Sequence, residues 1–306
     1  MRDEPYRNAA AFRNGVETRI KAEARASSLR SVEQVRRQFL LQRFLVRIFA
    51  EPDGRWVLKG GTGLIVRIPG ARHSNDIDLQ YPMPDALLDD AVADLRRLAK
   101  AVPAGDYLRF ELTDPQLGGG QGADHMVAQV KVVAFIGVAE YGRFPVDLSL
   151  NQRVAEPVER VRPHPVVELP GSDPLPEFLL YPLAEQIADK VCAMYSRYGR
   201  EQDQPSTRYR DLVDIAIIVT HRELEAVRVA EAVRDEAERR AVSLPDRLIA
   251  PSPQWRIGYR QSASGTILPP ALQELDGALA AVGICLEPLL AGTAEGLWDP
   301  LGFRWN

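Results

Sequence analysis

Two short stretches stand close together near the start of the chain: Lys59-Gly60-Gly61-Thr62-Gly63 and Ser74-Asn75-Asp76-Ile77-Asp78-Leu79. The second constrains the fold more tightly. In an extended strand, residues i and i+2 project from one face, so Asp76 and Asp78 present their carboxylates together, about 6–7 Å apart at the backbone. Ile77 and Leu79 then face a core. Like charges that close raise each other's pKa unless a cation neutralises them. A hard divalent ion does this, and Mg²⁺ takes one or two carboxylates together with phosphate oxygens. A solvated edge strand shows the same alternation.

The glycine stretch follows a buried strand, Trp56-Val57-Leu58, and precedes apolar Leu64-Ile65-Val66, which reads as a short helix. That order places backbone N–H groups and the Thr62 hydroxyl where anions bind. The spacing matches neither the P-loop nor the dinucleotide-binding pattern, and an ordinary tight turn is the competing reading. An anion cradle beside a carboxylate pair supplies the parts for phosphoryl or nucleotidyl transfer.

The remaining layout divides in two. Ser31-Val32-Glu33-Gln34 fits a capping box ahead of a helix to about residue 50, and 85–102 forms a second amphipathic helix. Strands are expected over 107–113, 126–137 and 143–150, with Gly118-Gly119-Gly120-Gln121-Gly122 as a flexible connection. Residues 153–177 carry six prolines, which places a boundary there between domains 1–172 and 173–306. Beyond it, 178–198, 207–221, 222–243 and 268–286 read as helices with no strands between them.

A net charge of −4 over 306 residues means that a nucleic-acid partner needs a local basic patch. Cys192 and Cys285 sit in apolar helical patterns and read as reduced core residues. The polar N-terminus has no apolar signal region, and no run approaches the ~20 apolar residues that span a bilayer. A soluble, cytoplasmic chain is expected.

Three further carboxylates and one lysine break their local patterns. Lys190 is the only charged member of the helical stripe Leu183, Ile187, Lys190, Met194. It either snorkels or points its ammonium into a cleft, at a triphosphate. Asp211 lines up with Ile215 and Ile218, either completing a site or satisfying the helix dipole, and Asp214 shares both readings. Asp147, in Phe144-Pro145-Val146-Asp147-Leu148, faces away from the core side. There it serves as a third metal ligand, as a base for an attacking hydroxyl, or as part of a solvated face. Arg197, Arg200, Arg208 and Arg210 gather positive charge suited to a polyanion. His73, His125, His164 and His221 show no ligand spacing.

Four blocks in order resemble the AbiEii/AbiGii nucleotidyltransferase toxins, including the MenT group. They are Lys59-Gly60-Gly61-Thr62, Arg72-His73-Ser74-Asn75-Asp76-Ile77-Asp78-Leu79, Ala188-Asp189-Lys190-Val191-Cys192-Ala193-Met194 and Arg208-Tyr209-Arg210-Asp211-Leu212-Val213-Asp214-Ile215. Pro253-Gln254-Trp255-Arg256-Ile257-Gly258-Tyr259 and Glu287-Pro288-Leu289-Leu290 extend the likeness over residues 30–292.

The resemblance implies an α/β nucleotidyltransferase-like domain with a mixed β-sheet, followed by an all-α helical C-terminal domain. It also implies a toxin restrained by a cognate antitoxin, with an NTP as substrate and the 3′ end of tRNA as acceptor. Ser74, Asp76, Lys190 and Asp211 match the family's active-site positions, with Asp78 completing the metal pair. Gly60, Gly61 and Thr62, with Lys59, match the nucleotide-binding turn. The expected metal is Mg²⁺, with Mn²⁺ as an alternative. A phosphate added to Ser74 or Thr62 is expected to block NTP binding by repulsion. Competing readings are nucleotidylation of a protein or small molecule, and a non-catalytic nucleotide-binding partner of an antitoxin.

Overall fold

The computed structural model describes residues 6–306 apart from 28, 84, 104, 119–127, 151–157, 200 and 202. The first half runs α1 (Ala9–Ala26), α2 (Val32–Ile48), β1 (Val57–Lys59), α3 (Gly60–Arg67), β2 (Ile77–Tyr81), α4 (Leu88–Ala99), β3 (Leu108–Leu112), β4 (Gln116–Leu117), β5 (Ala128–Ile136), β6 (Ala139–Leu150) and β7 (Glu159–Val161). The second runs β8 (Phe178–Leu180), α5 (Leu183–Tyr195), β9 (Arg197–Tyr198), β10 (Gln204–Pro205), α6 (Tyr209–His221), α7 (Ala226–Arg239), α8 (Trp255–Ala263), a 3₁₀ turn at Pro270–Gln273, α9 (Leu275–Leu290), β11 (Trp298–Asp299) and β12 (Arg304–Trp305).

Eight strands form one mixed sheet in the order β3-β5-β6-β2-β1-β8-β7, with β4 also on β5. The β2–β6 and β1–β8 pairs are parallel, and β1 pairs antiparallel with β2. Alternation decides what each face does. Ile77, Leu79 and Tyr81 of β2, Val130 and Val132 of β5, and Val146 and Leu148 of β6 point into a core closed by α1, α2 and α4. Their neighbours Asp78, Gln129, Asp147 and Ser149 point to the opposite face. The Ser31 capping box forms as expected, with the Gln34 N–H donating to Ser31 Oγ at 3.2 Å and the Ser31 N–H to Gln34 Oε1 at 2.8 Å.

A second core surrounds α6, whose Leu212, Val213 and Ile215–Val219 are fully buried. A helix apolar on all sides must sit at the centre of its helices. α5, α7, α8 and α9 enclose it, and Leu64, Ile68 and Ala71 join this core from the α3 side. Cys192 and Cys285 are free and buried.

Several expectations are corrected. The C-terminal half is not all-helical, because β9–β10 and β11–β12 form two small antiparallel ladders. Phe178–Leu180 is a strand rather than the start of a helix; it lies parallel to β1, and Pro182 then caps α5. The last expected helix starts later, at Leu275, since Pro269 and Pro270 precede it in an extended segment and a 3₁₀ turn. α1 was not expected at all; its only buried side chains, Phe12, Val16 and Ile20, form a narrow i, i+4, i+8 stripe. Residues 119–122 of the expected glycine loop lie outside the described residues. No described helix is long and apolar enough to cross a membrane.

Candidate active site

The glycine stretch is the first turn of α3 itself, entered directly from β1. Gly60 has φ +62°, and a Cβ there would lie 1.8 Å from Asp78 Oδ2. A Cβ on Gly61 would meet Ser74 Oγ at 2.9 Å. Both glycines therefore let the acidic strand and its lead-in lie against the helix's opening turn, where the first N–H groups have no intrahelical partner.

Asp76 is held from two sides. Ser74 Oγ donates to Asp76 Oδ1 at 2.6 Å, and Thr62 Oγ1 donates to the Asp76 carbonyl at 2.6 Å. The Thr62 hydroxyl, expected to face an anion, instead fixes the backbone that carries the carboxylate. Ser74 and Thr62 are 3% and 6% exposed, so neither hydroxyl can be modified without opening this turn.

Asp78 pairs in register with Asp147 on β6 and with Lys59 on β1, so the three side chains share the polar face of the sheet. Removal from water pushes the Asp78 carboxyl up to about 7; the charges of Asp76 and Asp147 add to the shift, and Lys190 and Lys59 oppose it. Burial also raises Asp147, although Gln129 Nε2 donates to its Oδ1 at 2.8 Å. Among the described residues, no group of three or more His, Cys, Asp or Glu side chains could hold a metal ion unaided. Two carboxylates with uncompensated charge nevertheless suit a hard cation that takes its other ligands from phosphate and water.

Facing this strand, α5 and α6 carry charges of alternating sign. Lys190 Nζ donates to Asp211 Oδ1 at 3.1 Å and to Asp214 Oδ2 at 2.7 Å. Arg72, two residues before Ser74, grips Asp214 with both sides of its guanidinium: Nε at 3.0 Å and a terminal nitrogen at 2.9 Å. Arg208 Nε donates to Asp211 Oδ2 at 2.6 Å. Burial opposes every one of these charges, but the pairing prevails. Asp214 titrates at about 2 under Lys190 and Arg72, Asp211 is lowered by Lys190 and Arg208, and Lys190 is raised by Asp214 and Asp211.

Lys59 stacks its ammonium 4.1 Å from the Tyr181 ring centroid and 3.5 Å from Asp189 Oδ2 of α5. Gln186 Nε2, also of α5, donates to the Gly60 carbonyl at 3.0 Å. The structure thus brings Lys59, Gly60, Gly61, Thr62, Ser74, Asp76, Asp78, Asp147, Lys190 and Asp211 into one neighbourhood. Sequence reasoning missed the parts played by Arg72, Gln129 and Gln186. Arg72 lay inside a quoted motif; nothing in the local pattern marks the two glutamines.

A cavity of 710 Å³ is lined among others by Gln38, Gln42, Ile65, Arg72, His73 and Gln261. None of Asp76, Asp78, Lys190 or Asp211 lines it. The converging charges, rather than the cavity, make up the candidate site.

A family model described as the nucleotidyl transferase AbiEii toxin of type IV toxin–antitoxin systems matches residues 43–281. Among solved structures, the nucleotidyltransferase toxin MenT4 from Mycobacterium tuberculosis is similar at a TM-score of 0.56 and 17% identity, over 90% of this chain and 89% of that one. JHP933 from Helicobacter pylori matches at a TM-score of 0.44 and 18% identity, over 85% of this chain and 94% of its own. No curated protein matches the chain.

Proposed function

The chain belongs to the AbiEii nucleotidyltransferase toxins of type IV toxin–antitoxin systems, and from that premise we propose that it transfers NMP from an NTP to the 3′ end of tRNA, blocking translation. The observation that carries the reading is the Asp76–Asp78 pair, seated on a glycine-built helix start and faced by Lys190 and Asp211.

In this reading Asp76 and Asp78 hold Mg²⁺, or Mn²⁺ in its place. The ion would neutralise the triphosphate and polarise the α-phosphate. Residues of the chain do the rest. The N–H groups of Gly60, Gly61 and Thr62 donate to phosphate oxygens at the start of α3. Ser74 and Thr62 keep Asp76 aimed. Lys190 and Lys59 offset negative charge as the leaving group departs. The acceptor hydroxyl oxygen forms its bond to the α-phosphorus, the bond to the bridging oxygen breaks, and pyrophosphate leaves. Asp147, raised by burial, takes the hydroxyl proton. The domain division at 172/173 is retained as a proposal, with the transfer site between the two parts, and the cognate antitoxin is the partner that restrains it.

Incubation of the protein with labelled NTPs, Mg²⁺ and bulk tRNA tests the reading. Label is expected on tRNA with the wild type and none with Asp76→Ala, whose circular dichroism and Tm stay close to wild type. Equal labelling by both proteins would overturn the assignment of the site. Label on protein or on a small molecule would replace the acceptor. Nucleotide binding without any pyrophosphate release would leave only a binding partner of the antitoxin.

A further inference from the structure

Four cations have charges that reach Asp76 or Asp78: Lys59, Arg72, Lys190 and Arg208. All four touch a carboxylate or an aromatic face, and three are enclosed by their partners. Lys59 lies between Asp189 and the Tyr181 ring, Arg72 is bidentate on Asp214, and Lys190 bridges Asp211 and Asp214. The Lys190 side chain is only 8% exposed. Arg208 differs. Its Nε alone is bound, to Asp211, its side chain is 54% exposed, and both terminal nitrogens are without a partner among the described residues.

Its base is fixed by a chain of contacts that reaches two other helices. The Arg208 N–H donates to Ser206 Oγ at 3.1 Å, and Ser206 Oγ donates to the Ala193 carbonyl of α5 at 2.9 Å. The Ser206 carbonyl accepts from Trp255 Nε1 of α8 at 2.7 Å, and Trp255 is fully buried. The Asp211 N–H donates back to the Arg208 carbonyl at 2.9 Å. An arginine held at both its backbone and its Nε has surrendered much of its conformational freedom before any ligand arrives.

We infer that Arg208 is a triphosphate-binding residue, with Asp211 as the positioning residue that aims it. The inference rests on the nucleotidyltransferase reading and names a further residue of the same site. The chain Arg72–Asp214–Lys190–Asp211–Arg208 holds three cations and two anions. It therefore carries one positive charge in excess, and its exposed end is the Arg208 guanidinium. The free edge of that group has the planar, two-donor geometry that matches adjacent phosphate oxygens. Asp211 accordingly acts through two cations, and its own oxygens need not touch the nucleotide.

Equilibrium binding of inorganic tripolyphosphate tests this without knowledge of the preferred base, alongside each NTP and the matching NMP, with and without Mg²⁺. Arg208→Ala should weaken tripolyphosphate and NTP binding about 10-fold, the scale of one charge-assisted contact, and leave NMP binding unchanged. Arg208→Lys should restore only part, since a lysine cannot both pair with Asp211 and offer a two-pronged edge. Asp211→Asn should weaken tripolyphosphate binding, and by less in the Arg208→Ala background than in the wild type, because only its hold on Lys190 is then left to lose. Unchanged tripolyphosphate binding by Arg208→Ala in a protein that otherwise binds NTP overturns the inference and spares the functional reading. A uniform loss across NTP and NMP also overturns it. A wild-type protein that binds neither tripolyphosphate nor any NTP sinks both.

Discussion

The acidic strand and the helices that face it handle the same residue type in opposite ways. On β2, burial and two neighbouring carboxylates drive Asp78 up to about 7. On α6, Asp214 is no less enclosed, yet Lys190 and Arg72 hold it at about 2. On one wall the carboxylates lie beside like charges that raise Asp78, and on the other every buried carboxylate is met by two cations. The difference separates carboxylates still open to a cation from carboxylates that already have theirs.

The largest expected loss comes from breaking the balanced wall. Lys190→Ala removes the ammonium shared by two buried carboxylates, leaving Asp214 to Arg72 and Asp211 to Arg208 alone, and the unfolding free energy should fall by about 3 kcal/mol, read from urea denaturation. A loss under 1 kcal/mol would mean that the pairing on α6 contributes little. Next comes the acid limb. Asp214 has a folded pKa below its unfolded value, so its stabilisation is present above pH ~4 and disappears as the pH falls toward 2. Wild type should lose about 2 kcal/mol through this group over that interval, and Asp214→Asn should show a correspondingly shallower slope. Parallel acid limbs for the two proteins would remove the contrast.

The third effect has the opposite sign. Asp78 has a raised folded pKa, so between pH 4 and about 7 the native state binds more protons, and metal-free stability falls as pH rises. Asp78→Asn should therefore raise the metal-free Tm by roughly 5–7 °C at pH 8 and leave it unchanged near pH 4. Added Mg²⁺ should narrow the gap at pH 8 by stabilising the wild type alone. A lower Tm for Asp78→Asn at pH 8 without metal would show that the strand is already neutralised by the chain's own cations.

The acidic wall was the more legible of the two. Strict alternation in Asp76-Ile77-Asp78-Leu79 identifies both the buried and the polar face, and the same rule reaches Asp147 on β6. Lys190 and Asp211 were visible as polar intruders on apolar helical stripes. Their partners were not, because the Arg72–Asp214 pair joins residues 142 apart in the chain, and no local pattern encodes such a distance. Phe178-Leu179-Leu180 was misread for a related reason. Three apolar residues ahead of a helix carry no period of their own, and only the exposed edge of β1 decides that they pair as a strand. The glycines were read as a turn between elements. The competing fact is the 1.8 Å approach of Asp78 to Gly60, a tertiary contact invisible from the turn itself.

The parallel strand β8, docked on β1 with the Tyr181 N–H on the Leu58 carbonyl at 2.9 Å, has a consequence for a chain that is still being made. β1 and β2 emerge early, but the strand that covers β1, and the helices that bring Lys190 and Asp214, follow more than a hundred residues later. At 5–20 residues per second, that interval is on the order of 10 s. Throughout it the nascent chain carries the acidic strand without its counterpart. On the proposed mechanism, a product truncated before α6 lacks Asp211 and Asp214 and should show no transfer.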